Sequence, residues 1–167
     1  MMQIYGYYLN IYRLAARDHY FIWRLDDIDG VIVDENGAML TFESCVEAEA
    51  YAQSQGIALK EAEPEFYDLD AIVDWITNPD PANVDCSRFN SAWNLFTDVA
   101  ASTRYAFDTD IPRTRKVYDK LFWGCNLPAV TPEGCSYEPI WLPDEIALLC
   151  EVLRAGMVMM PGYERQA

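Results

Sequence analysis

YGYYLNIYRLAARDHYFIWRL, Tyr5–Leu25, reads as strands. Tyr5, Tyr7, Leu9 and Ile11 alternate with less consistently apolar residues, and Phe21, Trp23 and Leu25 repeat that period of two. Such alternation is what a strand with one buried face produces, because successive side chains point to opposite sides of a sheet. Farther along, VIVDENGAML, Val31–Leu40, sets Asn36 and Gly37 between two β-prone runs. Both residues tolerate the positive φ that tight hairpin turns need, so a hairpin is expected there. The first quarter of the chain is thus predicted to form an antiparallel sheet of about four strands.

Helical spacing takes over afterwards. SCVEAEAYAQSQG has Ser44 and Glu47 at capping-box spacing and stops at Gly56. DLDAIVDWITNP puts Leu69, Ile72, Val73 and Ile76 on one stripe, starts with acids and halts before Pro79. From Asp85 onward, Phe89, Ala92, Trp93, Phe96, Val99 and Ala100 give the strongest helix signal in the chain. PRTRKVYDKLFWG places Pro112 in a first turn and Gly124 just past the end. A last helix begins near Pro143, carries Ile146, Leu149, Cys150 and Leu153 at core spacing, and ends at Gly156. The tail after it is expected to pack through its methionines before fraying. With no repeat and no linker, residues 1–167 read as one α+β domain: a small N-terminal antiparallel sheet packed by about five helices.

The chain is 51% hydrophobic and 23% charged, ordinary for a folded protein. Its formal charge of −15 is not ordinary. That charge repels phosphates and anionic membranes and attracts cationic proteins, so neither nucleic acid nor membrane is an expected partner. No apolar run reaches membrane-spanning length, and MMQIYGYYLNIYRLAARD lacks a basic start and a small-residue cleavage site. A cytoplasmic location follows as the expectation. Cys45, Cys86, Cys125, Cys135 and Cys150 form no CxxC pair, and His19 is the only histidine. Reduced, mostly buried thiols are expected rather than a zinc site.

RLDDIDGVIVDENG, Arg24–Gly37, raises the question of chemistry, since it holds five acids and no base after its first residue. Aligned as a calcium-binding EF-hand loop on Gly30, it puts Asp27 and Asp29 at positions three and five. Leu25 then falls at position one and Asn36 at position twelve, so the first ligand is missing and the bidentate one is an amide. A hydrolytic carboxylate pair needs one acid desolvated enough to keep its proton, and no acid here is singled out by its neighbours. His19, beside Asp18 near a strand-to-strand turn, reads as a surface histidine, and no phosphate loop, nucleophile elbow or HExxH is present. No catalytic residue, metal or cofactor is assigned.

The charge is concentrated. Between Asp26 and Asp74 there are fourteen acids and a single base, Lys60, a net −13 in 49 residues. Such density costs stability through self-repulsion, and helix capping explains only members such as Asp68 and Asp70. A face that steers a basic partner explains the rest. The candidate contacts are Asp26, Asp27, Asp29, Asp34, Glu35, Glu61, Glu63, Glu65, Asp68 and Asp70. Crowded tyrosines in the first strand (Tyr5, Tyr7, Tyr8, Tyr12) supply possible interface area, while Trp93 and Phe96 fit a helix core.

Taken together, the tyrosine-rich first strand, the "DDxDGVIVDENG" hairpin, the "WNLF" helix and the "VYDKLFWGCNLPAVTPEG" segment resemble immunity proteins of bacterial contact-dependent growth inhibition and related polymorphic toxin systems. The resemblance implies a cytoplasmic protein that performs no catalysis. It implies binding to the C-terminal domain of a cognate toxin, a basic ribonuclease or deoxyribonuclease, and coverage of its nucleic-acid cleft. Two other readings stand beside it: an acidic adaptor for some other cationic protein, and a small carboxylate-dependent hydrolase.

Overall fold

A computed structural model describes residues 5–164. Strand β1, Gly6–Leu14, and strand β2, Arg17–Leu25, form a long antiparallel hairpin in which Asn10 faces Phe21 and Tyr12 faces His19. Its two-residue turn, Ala15-Ala16, has φ of 54° and 57°. Left-handed backbone without glycine costs about 1–2 kcal/mol per residue. Asp70 offsets that cost: its two carboxylate oxygens accept the N–H groups of Ala15 at 2.7 Å and Ala16 at 2.9 Å. The predicted docking acid Asp70 is thereby committed to the fold. Asp70→Ala should lower stability by about 1–2 kcal/mol in denaturant titration, since water replaces both bonds only in part.

The buried parity of β1 is opposite to the one read from the sequence. Asn10, Tyr12 and Leu14 are buried, whereas Tyr7, Leu9 and Ile11 are half-buried and Tyr5 is 50% exposed. Both faces of the sheet are covered, which blurs any period of two. Helices pack on the Tyr12 side; on the other, Ile22, paired with Leu9, is fully buried near α1, Cys45–Ser54, where Ala48 and Ala52 are also buried.

The sheet has the four strands expected, in the order β3-β2-β1-β4, but it is mixed rather than antiparallel. β3, Gly30–Val31, pairs antiparallel with β2; β4, Phe66–Asp68, pairs parallel with β1. A parallel neighbour needs a long crossover, and residues 32–65 with α1 supply it. The Asn36-Gly37 turn forms as predicted, with the Asp34 N–H donating to Ala38 O at 2.8 Å and Gly37 at φ 79°. Beyond Val31 its arms contribute only isolated bridges, and the fourth strand comes from the glutamate-rich run instead.

Five helices follow the predicted segments: α1, then α2, Leu69–Thr77, α3, Cys86–Thr103, α4, Pro112–Gly124, and α5, Pro143–Met157. Ser44 caps α1 by accepting the Glu47 N–H, Asp68 caps α2 through Ala71, and Asp85 caps α3 through Arg88. α3 is the spine of the molecule, lying against β3, β4, α4 and α5. Phe89, Trp93, Phe96 and Val99 from it enter one core with Tyr12, Phe21, Ile72, Leu121 and Leu149. Gly156 does not end α5 but lies buried inside it, pressed against the Phe96 ring. Met157 and Met160 are buried beyond it, and the Tyr12 hydroxyl donates to Pro161 O at 2.8 Å. The predicted fraying of the tail falls in part on residues 165–167, outside the described residues. Among the described residues no helix is long and apolar enough to cross a membrane.

Candidate functional site

The acids of the glutamate-rich run sit on an edge of the sheet that is not a regular strand. Leu59 bridges Tyr7 and Phe66 pairs with Ile11, so seven steps of this segment oppose four steps of β1. The excess makes it bow outward between Lys60, whose N–H reaches Tyr7 O at 2.8 Å, and Glu65, whose O accepts from Ile11 at 2.9 Å. Buried Asn10 fills the gap by accepting the Glu65 N–H at 3.0 Å. Glu61, Glu63 and Glu65 are left exposed on the bow. A bulged, charged edge is also how sheets avoid pairing with other chains.

The ten predicted contact acids divide into two groups. Asp26 is buried with its carboxylate 2.9 Å from Arg24 Nε, and it also accepts the Ile28 N–H. Asp29 accepts the Asp26 N–H, and Asp34 accepts those of Asn36 and Ala38. With Asp68 on its helix cap and Asp70 on its turn, these five hold local structure, and buried Asp26 is removed from any partner surface. Asp27, Glu35, Glu61, Glu63 and Glu65 are exposed. Of the fourteen acids from Asp26 to Asp74, Asp26 is the one with a base of the described residues within 4.0 Å.

The hairpin acids and the bow lie at opposite edges of the sheet, yet they converge on a residue of α3 that sequence reasoning missed. Asp98 accepts the Trp23 indole N–H at 2.9 Å, and Trp23 leans on Tyr8 with ring centroids 5.7 Å apart. Burial pushes the Asp98 carboxyl up to about 6; the Trp23 bond opposes this, and the charges of Asp29 and Glu65 add to it. Burial likewise raises the neighbouring Tyr67 hydroxyl, helped by Glu65 and Asp98. The clue in the sequence was an acid two positions from Phe96 and next to Val99, inside the most apolar helical stripe.

Asp98 holds its proton more tightly in the folded chain than in the unfolded one. Stability therefore falls as pH rises from about 4 through about 6, and at neutral pH the charge is carried at a cost. Asp98→Asn keeps the acceptor for Trp23 and removes the repulsion. It should raise stability at pH 7 by about 1–2 kcal/mol, the carboxylate being partly screened by water, and flatten that part of the pH profile in thermal melts.

Concavity lies elsewhere. A cleft of about 1170 Å³ opens between the Ala15 turn, α2 and the end of α5, lined by Arg17, His19, Asp70, Ile76, Arg154 and Tyr163. Two smaller grooves of about 280 and 550 Å³ flank the start of α3. Asp98 lines none of the three, so the carboxyl with the raised pKa is separated from these cavities. His19 is not on a free surface: its ring stacks on Tyr12 at 4.7 Å. Cys86 and Cys150 are buried, Cys45 and Cys125 are half-buried and Cys135 is exposed, all as free thiols. Among the described residues no group of three or more His, Cys, Asp or Glu side chains is arranged to hold a metal ion.

Comparison with known proteins gives one informative match. The chain is similar in structure to the SatS C-terminal domain, crystallised in complex with bromine, with a TM-score of 0.53 at 16% identity over 92% of this chain and 88% of that one. The likeness is one of fold. No family model and no curated protein matches the sequence.

Proposed function

We propose that this protein is an immunity-type inhibitor that binds a basic nuclease domain in the cytoplasm and covers its nucleic-acid cleft, performing no catalysis. The observation carrying this reading is the set of five exposed acids, Asp27, Glu35, Glu61, Glu63 and Glu65, none with a base within 4.0 Å among the described residues. Glu61, Glu63 and Glu65 on the bow, with Asp27 and Glu35 at the other edge of the sheet, suit a protein surface better than a small substrate, because none of them lines a described cavity. Nuclease domains are basic because they hold phosphates, so acids presented on a bowed strand compete with nucleic acid for the same cations. The half-buried charge on Asp98 strengthens the field at a cost in stability, as functional sites commonly do. The test is co-expression with the C-terminal domain encoded beside this gene. Co-purification and rescue of growth are expected, and a toxic domain that neither binds nor is neutralised removes the reading.

A further inference from the structure

Six of the twelve large hydrophobic residues that stand most exposed among the described residues fall within twenty positions: Trp123, Leu127, Val130, Tyr137, Ile140 and Leu142. They occupy the end of α4 and its connection to α5. That connection is tied down rather than loose. Asn126 accepts the Tyr137 N–H at 2.7 Å and donates to Tyr137 O at 3.0 Å, so a side-chain amide stands in for a paired strand. Lys120 donates to Ile140 O and pairs with Glu145 at 2.7 Å, while Trp141 is buried beneath the Lys120 ammonium. Ile140, beside that buried tryptophan, is 82% exposed. Apolar side chains held out on a fixed backbone lose little entropy on binding, which marks a recognition surface rather than a flexible linker.

The two grooves at the start of α3 connect this loop to the acidic edge. Phe66, Tyr67 and Ser87 line the first; Ser87, Tyr137 and Glu138 line the second. Ser87 is common to both, so Phe66, which follows Glu65 of the bow, and Tyr137 of the loop border adjoining grooves. Within the loop Glu133 and Glu138 stand exposed, beside it Asp85 and Arg88 pair at 3.1 Å, and Lys116 and Lys120 of α4 lie on its Glu145 side.

We infer that the loop Gly124–Leu142 is the apolar half of a composite docking surface, seating a hydrophobic segment of the same cationic protein that the acids attract. The inference rests on the reading proposed above and divides the labour within it: acids set the rate of encounter, and the loop sets the lifetime of the complex. Acid charge pattern complements the basic partner, and the exposed aliphatic and aromatic side chains supply the dry contacts.

The experiment measures association and dissociation of the full chain with the C-terminal domain encoded beside its gene, at low salt and at about 0.5 M salt, where surface charge is screened. Ile140→Ala and Leu127→Ala should each speed dissociation roughly tenfold, equally at both salts, with association unchanged. Both side chains are exposed, so melting temperatures should hold. Unaltered dissociation in both variants, alongside weakened association on reversal of the exposed acids, overturns the loop assignment and leaves the inhibitor reading intact. Failure of the domain to bind at all overturns both. A wild-type dimer in sedimentation that Ile140→Ala converts to monomer assigns the loop to a second copy of this chain and also overturns the inference.

Discussion

Reversal of Asp27, Glu61, Glu63 and Glu65 to lysine is expected to slow association with the basic partner by roughly 10²–10³-fold at low ionic strength. The change replaces four negative charges by four positive ones on acids that have no cation within 4.0 Å among the described residues. No ion pair among the described residues is broken, so the variant should fold with at most a small change in melting temperature, and relief of self-repulsion should offset other losses. Asp26 is kept out of the set because its buried carboxylate faces Arg24, and reversing it would leave two cations together in the interior. Stopped-flow measurement across a salt series gives the readout. Wild type should show a steep fall in association rate with salt, and the variant a flat or inverted dependence. Equal rates and equal salt slopes for the two proteins would remove electrostatic steering from these four acids.

Gly156→Ala is expected to be the most damaging single methyl in the molecule. A Cβ at this position would stand 2.0 Å from Phe96 Cδ2 and 2.3 Å from Cγ, inside the van der Waals envelope of a ring that is itself fully buried. The obstacle is a rigid aromatic in the middle of α3, not the end of a flexible chain, so α5 and α3 must move apart. Overpacking of this kind costs about 1–3 kcal/mol, which for a chain of this size lowers the melting temperature by roughly 3–10 °C. Combining it with Phe96→Leu should recover part of the loss, since the two changes share one space and are not additive. A Gly156→Ala protein as stable as wild type would mean that the α3–α5 packing is looser than these contacts indicate.

The same glycine shows why some of the fold was legible and some was not. Glycine near the end of a helical stripe reads as a stop signal, because left-handed backbone there usually needs it. Gly56, at φ 68°, obeys that rule, but Gly156 is required by a neighbour from another helix, Phe96, about which local sequence carries no information. The hairpin parity misled in a related way. Tyr12 and Leu14 are core while Tyr7, Leu9 and Ile11 are half-buried, because α1 and the crossover cover the second face and both sides of β1 carry apolar residues.

The site divides along the same line. An excess of acids between Asp26 and Asp74 is visible to counting, but which of them are available is not. Asp70 lies 54 residues from the Ala16 N–H that it serves, and the Asp26 pairing with Arg24 depends on how the chain leaves β2. Asp98, outside the dense segment, joins Asp29 and Glu65 only because α3 crosses the sheet.

Periodicity, caps and turns are properties of neighbouring residues, and so the α+β class, the helix starts at Ser44, Asp68 and Pro143, and the charge imbalance could be read from the chain directly. Sheet direction, the bow at Glu61–Glu65, the packing of Gly156 on Phe96 and the retirement of half the candidate acids into structural bonds arise between segments distant in sequence. Their energies depend on separations that exist only after the chain has closed, which is why a one-dimensional pattern could not contain them.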